Sequence, residues 1–344
     1  MKWKSLAFIL IIFSLLFSKI EEKPFIMDIQ AENQFQKLTD YKIKVWIDQI
    51  NWTPDGKELI YRLTIHEGEE SIRKVVKYNL ENRKETVLLT GEKMKPFLKD
   101  YDKKYFERCG FDGMRISPSG NKILFYYRSC PEVTITDTKC RNIERLNIIP
   151  EKWALKEHIG PDHVVWSHDE RKLIFSSFYC DQFSGVAVYD IDKRKTKRIF
   201  DSPTYNYVYG ELTLNYKYKD FYIVSRQGKT TDLLLLHPVR HSFVRAIKTK
   251  YSNLIVKDLD DKGENILSYG LFFKKIKEYF GKEGIMIFRY NLNSKKLYLL
   301  TSPTKEREEY YSPRFSPDCK RIAFFAKDSD GKGNLWLLEL KNKN

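Results

Sequence analysis

The chain of 344 residues is 42% apolar and 15% aromatic, far too much burial capacity for a disordered polymer. Only seven alanines stand against 22 Tyr and 22 Phe, which argues against a helical bundle or a Rossmann-type α/β fold, because Ala is the best helix former and aromatics favour strands. The formal charge is +15, but the Lys surplus accompanies abundant Ile, Asn and Tyr, as an AT-rich coding sequence would give, and no Arg-rich run tracks phosphates. Nucleic acid is not the expected partner.

Residues 1–18 carry Lys2 and Lys4, then an apolar run from Leu6 to Phe17, the pattern of a secretory n-region and h-region. Twelve helical residues span about 18 Å against a hydrocarbon core of about 30 Å, which favours a signal peptide over 1–19. Ser18 is small but Leu16 is not, so an uncleaved anchor, tethering the chain to a membrane through residues 6–17, stays open. The first cysteine, Cys109, lies too far along for a lipid-modified N-terminus. Removing 1–19 leaves a charge of +12, so the exported chain stays basic.

From residue 51 one phrase recurs. Asn51-Trp-Thr-Pro-Asp-Gly-Lys-Glu-Leu-Ile-Tyr61 is echoed by Arg115-Ile-Ser-Pro-Ser-Gly-Asn-Lys-Ile-Leu-Phe125, by Val165-Trp-Ser-His-Asp-Glu-Arg-Lys-Leu-Ile-Phe175 and by Arg314-Phe-Ser-Pro-Asp-Cys-Lys-Arg-Ile-Ala-Phe324. Degenerate copies begin at Leu214 and Lys257. The period is about 53 residues, near that of a propeller blade. Each phrase reads as a hairpin: Pro54-Asp55-Gly56, Pro118 with Gly120, Asp169, and Pro317-Asp318 supply the preset φ, the side-chain cap and the positive-φ position of a tight turn. Second hairpins follow at Val186–Phe200 and Ile285–Thr301, making four-stranded units. The last unit lacks its fourth strand after Asn334–Leu340, and Phe35–Thr39 supplies it from the other end of the chain. The expectation is all-β: one domain over residues 20–344, a six-bladed β-propeller whose ring is closed by strands from both termini.

Trp52-Thr-Pro-Asp-Gly56, Ser117-Pro-Ser-Gly120 and Phe315-Ser-Pro-Asp318 resemble the WD40-like, or PD40, repeats of TolB-like six-bladed propellers, over about residues 35–340. The resemblance implies the fold, and a function shared among binding proteins, peptidase propellers and some polysaccharide lyases. The chain has too few residues before Trp52 for the N-terminal α/β domain of TolB itself. It also shows no Gly-x-Ser-x-Gly elbow.

With strands named A to D outward from the axis, A–B and C–D turns share one face, and B–C loops and D–A links the other. Cys109, Cys130 and Cys180 fall on the link face, and Cys140 and Cys319 on the turn face. For an exported chain a Cys109–Cys130 disulfide is favoured, Cys130–Cys180 is its rival, and all-reduced thiols are the alternative. Of the six histidines, His163 falls on the link face and His168, His237 and His241 on the turn face, so no metal or other cofactor is expected. The D–A links are twice as rich in tyrosine as an even spread would make them: Tyr101, Tyr105, Tyr205, Tyr207, Tyr209, Tyr251, Tyr310 and Tyr311. Tyrosine is favoured at interaction surfaces, so this face is the expected partner-binding face, although strand-start tyrosines also pack between blades. Six basic residues between Gly91 and Gly113 favour an acidic partner. The function expected is a monomeric, exported, non-enzymatic module at the cell envelope that binds a protein or an acidic glycan. A polysaccharide lyase or related enzyme with an axial site is the alternative.

Overall fold

The computed structural model describes residues 27–29, 34–67, 70–90, 111–127, 130–150, 160–180, 183–201, 213–215, 220–227, 230–237, 242–248, 254–260, 264–271, 285–291 and 293–340. Within them every regular element is a strand, and the strands form a β-propeller.

Sheet 1 runs outward through β3 (Val45–Trp52), β4 (Glu58–Glu67), β5 (Glu70–Asn79) and β6 (Lys84–Thr90). Sheet 2 repeats this with β7 (Gly113–Ile116), β8 (Lys122–Tyr126), β9 (Glu132–Asp137) and β10 (Ile143–Asn147), and sheet 3 with β11 (His163–Trp166), β12 (Lys172–Cys180), β13 (Phe183–Asp190) and β14 (Lys195–Asp201). Sheet 4 holds β15 (Thr213–Asn215), β16 (Asp220–Gln227), β17 (Thr230–His237) and β18 (Ser242–Lys248). Sheet 5 holds β19 (Leu254–Leu259), β20 (Asn265–Leu271), β21 (Ile285–Asn291) and β22 (Leu297–Leu299), with β1 (Met27–Ile29) added in parallel on the outside of β22. Sheet 6 contains β23 (Glu309–Phe315), β24 (Arg321–Lys327) and β25 (Gly333–Glu339), and its outer strand is β2 (Gln34–Lys37) from near the start of the chain. Five sheets are thus four-stranded and one is five-stranded.

Inner strands touch in the order β3, β7, β11, β15, β19, β23, and β23 returns to β3. The closing contact rests on β2, paired antiparallel with β25 from Gln34↔Glu339 to Lys37↔Trp336. Just beyond it the buried Thr39 hydroxyl accepts from the Leu335 amide (2.9 Å), and the Asn334 side-chain oxygen accepts from the Tyr41 amide (2.8 Å) and from Thr39 (3.3 Å).

Apolar residues lie between sheets rather than inside one central core. One cluster joins Val45, Ile47 and Tyr61 of sheet 1 to Ala323, Phe325 and Leu337 of sheet 6, and another joins Leu124 and Tyr126 of sheet 2 to Trp166 and Phe175 of sheet 3. The middle strand Arg321–Lys327 is therefore buried at five consecutive positions, because a neighbouring sheet covers each of its faces. Burial of one such Phe or Leu contributes about 1.5–3 kcal/mol, and this replaces the two-residue alternation of a half-exposed strand. Three of the seven alanines, Ala187, Ala323 and Ala326, stand at fully buried strand positions where sheets approach closely.

Candidate functional site at the axial mouth

Four copies of the repeated phrase build one hydrogen-bonded turn. Its first residue is Thr53, Ser117, Ser167 or Ser316, whose amide donates to the carbonyl of Glu58, Lys122, Lys172 or Arg321 at 2.8–2.9 Å. The hydroxyl of that residue then accepts the amide five positions on, at 2.9–3.2 Å. In three copies the hydroxyl also donates to Asp55, Asp169 or Asp318, at 2.5–2.6 Å. Thr53 and Ser167 thereby hold Asp55 and Asp169 below the usual carboxylate range. Burial pushes Asp318 up, but hydrogen bonds from Ser316 and the Lys320 amide outweigh it and its carboxyl too is lowered. The left-handed position falls on Gly56 (φ 68°), Gly120 (φ 79°), Glu170 (φ 58°) and Cys319 (φ 55°). A Cβ on Gly120 would lie 2.8 Å from Pro54 Cδ, so glycine is needed there for close approach as well as for φ.

The degenerate copies sit one residue away from where the repeat pattern puts them. Asp260 occupies the Thr53 position: its amide donates to Asn265 O (3.0 Å), and its own carboxylate accepts the Glu264 and Asn265 amides. Asp258 therefore corresponds to Asn51, the place the sequence pattern gives to Lys257. In sheet 4 the pairs Thr213↔Tyr222 and Asn215↔Asp220 likewise put Thr213, rather than Leu214, at that position.

These inner-strand ends and turns surround a cavity of about 340 Å³ at the turn-face mouth of the axis. Trp52, Trp166, Ile116, Leu259 and Phe315 supply apolar lining, Pro54, Pro118 and Pro317 rim it, and Asn51, Arg115, Asp258 and Arg314 contribute polar groups. Those polar groups also stitch the free edges of neighbouring inner strands. Arg314 donates through Nε to Ile50 O (3.2 Å) and through Nη1 to Lys257 O, reaching the sheets on both sides. Asn51 Nδ2 donates to Gln49 O (2.6 Å) and Met114 O (3.3 Å). Arg115 Nη1 donates to Met114 O (3.0 Å) of its own strand and reaches Gln49 Oε1 (3.5 Å) of β3. Asp258 accepts the Leu259 amide (2.9 Å) and the Phe315 amide (2.8 Å). The result is an apolar cup with two guanidinium groups against one carboxylate. Asn51, Arg115 and Arg314 are the first residues of their repeated phrases, whereas Asp258 takes the equivalent place only through the one-residue shift of its degenerate copy.

On the link face, Tyr101, Tyr105, Tyr205, Tyr207, Tyr209 and Tyr251 lie outside the residues whose side chains are described. Tyr310 is fully buried and donates its hydroxyl to Ser302 O at 2.5 Å, so this member of the expected binding face is a core residue instead. It is the second residue of β23 and packs on Phe324 (centroids 5.7 Å apart), as aromatics near strand starts do between stacked sheets. Tyr311 is half-buried in a cluster with Trp46 (4.7 Å), Phe325 (6.0 Å) and Tyr269 (6.2 Å). Lys327 Nζ lies 4.8 Å from the Trp46 ring centroid, and burial with the Glu309 hydrogen bond raises the Tyr311 pKa. Cys130 is buried at 8% exposure, but its expected partner Cys109 and the segment 1–19 lie outside the described residues. Among the described residues no group of three His, Cys, Asp or Glu is placed to hold a metal ion, and no helix is long and apolar enough to cross a membrane.

No family model matches the chain, and no curated protein does either. Solved structures match in fold. An oligogalacturonate lyase from Vibrio parahaemolyticus superposes with a TM-score of 0.52 at 12% identity, covering 92% of this chain and 96% of its own. A luciferin-regenerating enzyme gives 0.54 at 11% identity over 90% and 96%. A putative TolB from Agrobacterium tumefaciens gives 0.50 at 12% identity over 75% and 85%. At these identities the likeness establishes the propeller architecture, TolB-like neighbours included, and leaves the chemistry to the residues themselves.

Proposed function

We propose that the chain is an exported six-bladed propeller, counting the five-stranded sheet as a blade, that works as a non-enzymatic binding module at the cell envelope. Its axial mouth takes one acidic group of a partner, a protein segment or an acidic glycan. The observation that carries this reading is the cavity of about 340 Å³ in which Arg115 and Arg314 outnumber the single carboxylate of Asp258 in a largely apolar wall. Such a volume suits one side chain or one sugar ring, and a guanidinium recognises a carboxylate through paired donors. This mouth lies at the end of the axis opposite the link tyrosines, which stay a second candidate face.

A lyase is the second reading, favoured by the convergence of Arg115, Asn51, Asp258 and Arg314 at one mouth. Against it, both Asp258 oxygens hold backbone amides at 2.8–2.9 Å, which leaves that carboxylate poorly placed to take a substrate proton. Capture from envelope extracts tests the first reading, with three baits: wild type, Arg115→Glu, and the Tyr205, Tyr207, Tyr209 triple alanine variant. Loss of an acidic partner with Arg115→Glu alone supports the mouth, and equal recovery on all three overturns it. Release of an unsaturated product from oligogalacturonate would establish the lyase instead.

A further inference from the structure

The outer edge of sheet 3 carries the densest run of positive charge among the described edges, although β18 of sheet 4, with Arg245 and Lys248, also lacks an acid. Residues 193–198 read Lys-Arg-Lys-Thr-Lys-Arg, five basic residues and no acid, over the C–D turn and the first half of β14. Lys193 and Arg194 are 75% exposed, and Lys195 and Lys197 are exposed as well. Arg171, 73% exposed, and Lys172 extend the patch. The nearby acids are Asp190, 3.4 Å from Lys193, Asp192, 3.9 Å from Arg171, and Glu144 of sheet 2, 3.9 Å from Arg194, so cations still outnumber them. Among the described residues β14 ends its sheet, with β13 on its inner side and no strand beyond it.

Charged side chains on edge strands ordinarily prevent unwanted pairing, and that protective role needs no single sign. The edges of sheets 1 and 2 fill it with mixed charge, Lys84 beside Glu85 in β6 and Glu144 beside Arg145 in β10. Five cations in six residues go beyond this requirement. The fold also holds a precedent for an added strand, because β1 pairs in parallel with the outer strand of sheet 5, Met27↔Leu297 to Ile29↔Leu299. There the edge is three residues long and apolar, while β14 is seven residues long and basic.

We propose that the outer edge of β14 docks an extended acidic segment of a partner protein as a fifth strand of sheet 3. Backbone hydrogen bonds supply affinity along about 23 Å of strand, and carboxylates at alternate positions of the guest face Lys195 and Lys197. This site is separate from the axial mouth.

The test is fluorescence anisotropy with a labelled ten-residue peptide of alternating Glu and Thr, beside the same peptide with proline in place of alternate threonines. Lys195→Glu with Lys197→Glu should weaken the first peptide by at least about tenfold, since both are surface positions whose reversal changes attraction to repulsion. The control Lys57→Glu with Lys139→Glu carries the same charge change elsewhere and should leave binding within about twofold. Proline removes backbone donors, so the second peptide should bind at least about tenfold more weakly. Equal affinity for both peptides would make the patch a general polyanion surface and overturn strand addition. Loss of binding in Arg115→Glu would place the peptide in the axial mouth, overturning this inference while supporting the proposed function, and absence of binding to the wild type would also overturn it.

Discussion

The seam between sheets 6 and 1 and the seam between sheets 2 and 3 use one geometry with two chemistries. In each, a tryptophan at the end of an inner strand donates its indole N–H to the backbone of an arginine in the preceding sheet: Trp52 to Arg314 O at 3.2 Å, and Trp166 to Arg115 O at 3.4 Å. In each, the first residue of the preceding sheet's second strand lays a cation over that ring, Arg321 at 5.0 Å and Lys122 at 5.9 Å. The two part at the left-handed turn position. Gly56 offers only its carbonyl, which accepts from Arg321 Nη2 at 3.0 Å. Glu170 accepts the strain of a positive φ and sends its carboxylate across the seam, to the Ser119 amide at 2.6 Å and toward Lys122 at 3.7 Å. A uniform repeat can thus hold one interface through a cation on a backbone carbonyl and another through a carboxylate that answers both an amide and a cation.

The largest test of the shared geometry is removal of the indoles. Trp52→Ala and Trp166→Ala should each cost about 3–5 kcal/mol in urea unfolding, because both rings are buried between sheets. A large inequality would mean that the seams are not equivalent. At the ring closure, Asn334→Ala leaves the Tyr41 amide and the Thr39 hydroxyl without their acceptor and should cost about 2–4 kcal/mol. A loss below about 1 kcal/mol would show that solvent replaces that contact and that β2 alone closes the ring.

Acid should separate the seams. Burial pushes Glu170 up, but hydrogen bonds from Ser119 and the nearby Lys122 outweigh this and hold its carboxyl below the usual range. A folded pKa below the unfolded one gives stability that is complete above the unfolded value of 4.5 and lost as pH falls through the folded value. The stability gap between wild type and Glu170→Gln should therefore be open at neutral pH and shrink below about pH 4. A gap independent of pH would remove the carboxylate from the account. At the Gly56 seam, Arg321→Lys loses the guanidinium hydrogen bond and should cost about 1 kcal/mol at any of these pH values. The smallest effect is expected from Glu170→Gly. It gives up a charged hydrogen bond but relieves a positive φ, and these offset to within about 1 kcal/mol.

The repeated phrase determined a great deal by itself. Thr53, Asp55 and Gly56 predict their turn because the hydroxyl, the carboxylate and the missing Cβ act within five residues of chain. The outer strand drawn from Phe35–Thr39 was legible for the same reason, as a missing member of a periodic set. The tertiary structure decided what depended on neighbours distant in sequence. Tyr310 proved to be core and Tyr311 half-buried because adjacent sheets cover the start of β23, and burial of that kind leaves no mark on the local pattern. The register of Asp258 and Thr213 was fixed by ladder hydrogen bonds where the turn residues had diverged, and a shift of one residue exchanges the faces of a strand. Only the ring brings Arg115 and Arg314 to one cavity: they are 199 residues apart in the chain, and what makes them neighbours is its closure by β2.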